Sequence, residues 1–256
     1  MKKLQRELDH LCSVPEYSFY DGTQVLRDEY HGFSYPIEIL RSDENEVVAK
    51  LPFLKLSKIN PKLLFGELKE EINRNFSENS VNAGYENPGK INQFSIRMPH
   101  HPGEKCYEDL GYFCSIMIGG DKMALCMDQI DVDLYTDLPY NIFYTFLFGV
   151  LMSHLYKKRF AGCMLDFQNC YVRKEDLPQI AKIIESDIEL DTVHVRIKQP
   201  FSSLDEVTYE NLEIVISWFP TKKQYMNSCT AFYYYVIWRS SVEHTYRIIK
   251  ILVDIS

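Results

Sequence analysis

The stretch Asp128-Gln-Ile-Asp-Val-Asp-Leu-Tyr-Thr-Asp-Leu-Pro-Tyr-Asn-Ile142 decides the fold, because it closes a strand and opens a long apolar helix. Upstream, Tyr112–Ile118 and Met123–Met127 flank Gly119-Gly120-Asp121, the pattern of two strands joined by a glycine turn. Downstream, Ile142-Phe-Tyr-Thr-Phe-Leu-Phe-Gly-Val-Leu-Met-Ser-His-Leu155 predicts a helix over Asn141–Lys157 that is apolar on every side. A helix of that kind belongs in the centre of a core. The run is too short for a bilayer and carries Ser153 and His154, so a membrane span is not expected.

The flanking chain supplies layers for that helix. Lys2–Leu11 has helical spacing at Leu4, Leu8 and Leu11, and Val25–Leu40 reads as extended. Leu51-Pro-Phe-Leu54 leads into a second helix, started by Asn60-Pro61 and running through Leu63, Leu64, Leu68 and Ile72. Ser77–Gly89 is loop, and Ile91–Met98 alternates as a strand. Ala161–Tyr171 predicts a strand with a turn, Leu177–Glu185 a helix, and Val193–Ile197 and Leu212–Trp218 further strands. The class is α+β, with antiparallel strands covered on one face by helices. The hairpin residues Phe113, Ile116, Ile118, Met117, Leu125 and Met127 make its strands apolar on both faces, which calls for a second cover.

Composition excludes several functions. The 256 residues are 46% hydrophobic and 25% charged, enough for one sizeable core. A net charge of −8 argues against nucleic-acid binding, which needs clustered Lys and Arg. Met1-Lys-Lys-Leu-Gln-Arg-Glu-Leu8 is charged throughout and is not a signal peptide. The seven cysteines are odd in number and form no Cys-x-x-Cys pair, so neither a zinc site nor a disulfide framework is expected. A reducing cytoplasm is the expected location.

Leu138-Pro139-Tyr140-Asn141-Ile142 resembles the Leu-Pro-Phe-Asn-Ile signature of the thymidylate synthases. Three further stretches are similar in order and spacing. They are Asp21-Gly-Thr23; Leu51-Pro-Phe-Leu54 with Leu64-Phe-Gly-Glu-Leu68; and Val193-His-Val-Arg-Ile197 with Tyr209-Glu-Asn-Leu-Glu-Ile-Val-Ile-Ser-Trp-Phe-Pro220. The resemblance, shared with the deoxycytidylate hydroxymethylases, covers Asp21 to Pro220. It implies a thymidylate-synthase-like mixed β-sheet covered by helices and dimerising through the sheet. That domain would occupy 1–223, followed by a C-terminal extension at 224–256. The extension contains Ala231-Phe-Tyr-Tyr-Tyr-Val-Ile-Trp238 and is expected to pack on the same domain, its dimer mate or another protein.

Carried over residue by residue, the resemblance makes Asn141 the reader of the pyrimidine edge, Glu67 a proton-relay acid, Asp133 a folate-side acid and Tyr171 a ribose contact. The nucleophile position falls on Leu110. The family reaction needs a thiolate that adds to the pyrimidine ring, and Leu cannot supply one. Cys106 and Cys114 stand four residues away, about 13 Å along a strand, too far to substitute. The phosphate-binding Arg positions fall on Gly22, Lys90, Ile91 and Ile130, of which Lys90 alone is basic. Asp131 stands where the family has the phosphate-binding Ser. Two like unit charges at about 4 Å repel by on the order of 4 kcal/mol at an effective dielectric of about 20. The family's His falls on Asn169.

Each retained residue also has a plainer role. Asn141 could cap the central helix, since Asn favours that place. Glu67 could be a solvated helix residue. Asp128, Asp131 and Asp133 could form a hard-cation site or stand exposed at a strand end. The expectation is a catalytically degenerate synthase-like protein, a ligand-binding or assembly module without folate-dependent methyl transfer. The alternative is an enzyme acting on a pyrimidine nucleoside or nucleotide by altered chemistry with Glu67, Asp131 and Asn141. Neither folate nor a metal is expected. The expected partners are a second copy of the chain, a pyrimidine nucleoside-like ligand, and a protein held by the extension.

Overall fold

Two hydrophobic periods alternate along the chain and set its element order. Helix α1 (Lys2–Leu11) precedes strands β1 (Glu16–Ser18), β2 (Gln24–Arg27), β3 (Gly32–Ser42) and β4 (Glu46–Leu51). Helix α2 (Pro61–Asn75) is followed by β5 (Asn92–Ile96), β6 (Tyr112–Gly119) and β7 (Lys122–Ile130). Then come α3 (Asp137–Leu155), β8 (Arg159–Gln168), β9 (Tyr171–Arg173), α4 (Leu177–Glu185), β10 (Asp191–Ile197) and β11 (Leu212–Trp218). The computed structural model describes residues 2–19, 21–27, 32–51, 59–75, 92–96, 112–130, 132–185 and 191–218. The expected extension at 224–256 and the loop expected at Ser77–Gly89 lie outside them.

Eight strands form one sheet in the order β11-β10-β4-β3-β8-β7-β6-β5, and β1-β2-β9 form a second. Every neighbouring pair in the large sheet is antiparallel except β7 and β8. A parallel pair cannot be joined by a tight turn and needs a crossover. Helix α3 is that crossover, so the apolar helix is laid across the sheet by topology as well as by hydrophobicity. The class is therefore α+β with a mixed sheet. Among the described residues, no helix is long and apolar enough to cross a membrane.

Helix α3 buries nearly its whole length, from Leu138 to Leu155. Beneath it lie Ile116 and Ile118 of β6, Met123, Leu125 and Met127 of β7, and Leu165 and Phe167 of β8. Gly149 lets the helix approach β8: a Cβ there would stand 2.3 Å from Cζ of the buried Phe160 ring. Strand β7 alternates strictly between buried and part-exposed residues, so one face of the hairpin lies under the helix. Cross-strand register puts Met117 opposite Ala124, and Met164 beside Cys126, on the other face. Met117 and Met164 are 40% and 38% exposed. The residues expected to make both hairpin faces apolar thus divide, with Ile116, Ile118, Leu125 and Met127 buried and Met117 open.

Several boundaries differ from the sequence expectation, and three of the differences bear on the core. Helix α3 begins at Asp137, not Asn141, because Pro139 falls in the first turn, where its missing N–H is no loss. Val25–Leu40 is not one extended piece: β2 joins the small sheet and β3 the large one. Glu46–Leu51 is a central strand between β3 and β10 that sequence reasoning left unassigned. Its buried positions, Val47, Ala49 and Leu51, gain their meaning from the two neighbours.

A buried polar cluster where the central helix begins

The connection from β7 to α3 is organised by one carboxylate. Asp133 has no exposed surface. Its Oδ1 accepts hydrogen bonds from the amides of Tyr135 (2.8 Å) and Thr136 (3.4 Å). It therefore serves the start of α3 in place of Thr136, whose own side chain makes no cap bond. Its backbone carbonyl accepts from Asp137 and Leu138, and its amide donates to Asp137 Oδ2 at 3.1 Å. The Arg173 Nε of β9 stands 3.2 Å from Oδ2. Burial and the neighbouring Asp137 carboxyl push the Asp133 pKa up to about 7, against the pull of the Tyr135 and Thr136 amides.

Tyr171 belongs to the same joint. Its amide donates to Val132 O at 3.0 Å and its carbonyl accepts from Leu134 at 2.9 Å, so β9 is stitched to the connection. Its ring meets Phe19 edge-on at 5.2 Å. Asn169, where the resemblance placed the family's His, holds the β8–β9 turn at φ 53°, a conformation Asn tolerates.

Asn141 lies inside α3, one turn past its start, and is 3% exposed. It is not a helix cap, since Asp137 already occupies the first helical position. One turn further, the buried Thr145 donates to Met127 Sδ at 3.1 Å. The same sulfur accepts from Gln129 Nε2 at 3.4 Å. Gln129 is completely buried, and its Oε1 has no partner among the described residues.

Glu67 is not simply solvated. Tyr140 OH donates to its Oε2, and Tyr140 stacks on Tyr144 at 6.3 Å. Helix α2 brings Glu67 there because Asn60 caps its N-terminus and Lys69 Nζ ties it to the carbonyls of Val207 (2.6 Å) and Asp205 (3.1 Å). Glu67 thus reaches the turn of α3 that carries Asn141.

The acidic triple of the sequence does not assemble as such. Asp133 is buried in the joint, neither exposed nor turned toward Asp128. Asp128 lies on the other face of β7, where its carboxylate, Cys126 Sγ and an Asp166 oxygen lie within 4.8 Å of one another. Burial, with the Asp166 and Asp128 charges, pushes the Cys126 thiol up to about 11. Asp131, Lys90 and Leu110 lie outside the described residues. Sequence reasoning missed Gln129, Thr145, Tyr140 and Arg173. The signal for Gln129 was its two-residue spacing from Leu125 and Met127, which puts it on the buried face. No protein-family model matches the chain, and no curated protein matches it.

Proposed function

We propose that the chain is a thymidylate synthase-like protein that holds a pyrimidine nucleoside and performs no folate-dependent methyl transfer, serving as a ligand-binding or assembly module. Asn141 carries the reading. It is a buried carboxamide one turn into the central helix, and a carboxamide can meet a base edge with one donor and one acceptor. Glu67, joined through Tyr140 to the same helical turn, supports a polar pocket at that end of α3. The mixed sheet, with one face under helices and one carrying Met117 and Met164, is compatible with the implied fold and supports a homodimer through the open face. Leu110 in the nucleophile position is the chemical reason that transfer is not expected.

The test is transfer of a labelled one-carbon unit from a folate donor to deoxyuridylate or deoxycytidylate. Background counts are the expected result. Turnover that a single Cys→Ser change abolishes would overturn the proposal. Nucleosides should raise the melting temperature at least as much as their 5′-monophosphates, because Asp131 repels the phosphate. Stronger stabilisation by the monophosphate, weakened by Lys90→Ala, would refute that part.

A further inference from the structure

The two oxygens of the buried Asp133 carboxyl are unequally placed. Oδ1 accepts from the Tyr135 and Thr136 amides, while Oδ2 has no hydrogen-bond partner among the described residues. Arg173 Nε stands 3.2 Å from Oδ2, within ion-pair range, yet no hydrogen bond joins the two atoms. A buried oxygen in that state favours the protonated carboxyl over the carboxylate.

Arg173 is shared among several acids. Strand β9 pairs it with Val25 of β2, a few residues beyond the turn in which Asp21 Oδ1 accepts from the Thr23 amide. Asp176 ends the short 3-10 turn Lys174–Asp176 that follows β9. Hydrogen bonds from Thr23, with the Arg173 charge, hold the Asp21 carboxyl below its usual range. Burial and Glu175 push the Asp176 carboxyl up, and the Arg173 charge opposes them. Around Asp133 itself stand Asp137 of α3, whose Oδ2 accepts from the Asp133 amide, and Arg173 of β9. Asp176 adds its negative charge from the turn, and Arg27 of β2 lies across Tyr171 from Asp133. The guanidinium of Arg173 thus sits between a buried acid and two acids at the rim of the small sheet.

We propose that Asp133 and Arg173 form a proton-controlled relay from the buried joint to the rim of the small sheet. With Asp133 protonated, Arg173 serves Asp21 and Asp176. When Asp133 ionises, Oδ2 draws the guanidinium into a charge-assisted hydrogen bond, and the two rim carboxylates lose their cation. Protonation of one buried group then sets how negative the rim is. Burial first, and then the Asp137 charge, lift the Asp133 pKa to about 7, so the exchange falls near neutral pH. Below that value the rim is partly neutralised, and above it the rim is bared.

Nuclear magnetic resonance of the full chain tests this, with Arg173→Lys assigning the Arg173 Nε–Hε signal. As pH rises through about 7, that proton should move downfield and exchange with water about tenfold more slowly. A solvated arginine shows the reverse, because base catalyses its exchange. The Asp176 carboxyl carbon should step at the same midpoint. Asp133→Asn, which keeps an oxygen for the Tyr135 and Thr136 amides but cannot ionise, should abolish both steps. A purely structural Asp133 would give no paired steps to abolish. A flat Arg173 signal in the natural chain, or steps that persist in Asp133→Asn, would overturn the proposal. Should Asp133→Asn not fold, carboxyl-carbon titration of Asp133 in the natural chain takes its place. A midpoint coinciding with the Arg173 step supports the relay, and midpoints more than about one pH unit apart refute it.

Discussion

Asp133 shows how one buried group sets a pH response. The unfolded chain binds this proton only below about pH 4. The folded chain keeps it up to about pH 7. Between those limits the folded state holds the extra proton, so its stability falls as pH rises and levels off above the upper limit. We expect this residue to account for a loss on the order of 1–3 kcal/mol, less than the full shift implies because Arg173 compensates part of the charge. Urea unfolding between pH 4 and pH 8 checks it, since the Asp133→Asn chain should lack that part of the slope. Gly149 makes the opposite point about size. Ala favours a helix interior by about 1 kcal/mol over Gly. Its Cβ would nevertheless stand within 2.9 Å of three Phe160 ring atoms. Gly149→Ala should therefore destabilise by about 1–3 kcal/mol. Adding Phe160→Leu should recover part of the lost melting temperature; no recovery would place the strain elsewhere.

At the scale of elements, helix ends do more than terminate helices. Asn60 Oδ1 accepts from the amides of Lys62 (3.1 Å) and Leu63 (3.3 Å), with Pro61 at the first helical position. Asn60→Ala should cost about 1 kcal/mol by the urea midpoint. Asn60→Ser should restore most of it, because Ser caps nearly as well. Since α2 delivers Glu67 to Tyr140, the Ala variant should also weaken any ligand held at Asn141. Helix α3 is started differently, by Asp133 acting across the turn, so its first turn and the position of β9 depend on the same carboxylate.

At the scale of the molecule, helix α3 covers one side of the large sheet, and no described helix is seen on the side that carries Met117 and Met164. The open side carries Met117 and Met164, with Asp128 and Asp166 beside them. The proposed dimer buries this face, the simplest self-complementary cover for an exposed apolar strip. Light scattering at micromolar concentration should give twice the chain mass. Met164→Lys should shift it toward the monomer while leaving the far-ultraviolet dichroism unchanged. A monomeric natural chain would count against the proposed fold family as well as against the dimer.

The sequence by itself determined what short-range physics controls. Asn60-Pro61 marked a helix start, Gly119-Gly120-Asp121 a turn, and Lys2–Leu11, Leu177–Glu185 and Leu212–Trp218 were legible to the residue. Those signals depend on neighbours within one helical turn or one hairpin. The candidate site was legible in part: Asn141 and Glu67 stood out, but a cap was an equally good account of Asn141 and a solvated acid the favoured account of Glu67. Only the tertiary structure decided between such accounts, because burial depends on what arrives from elsewhere in the chain. Asp133 is buried because β9 and the start of α3 close over it, with Arg173 lying 40 positions along the sequence. Gln129 is sealed because α3 crosses back over β7 to join a parallel β8, and Met117 stays open because nothing described covers that side of the sheet. Strand pairing over such separations leaves no local imprint, since each strand's alternation says that one face is buried but not which chain segment buries it.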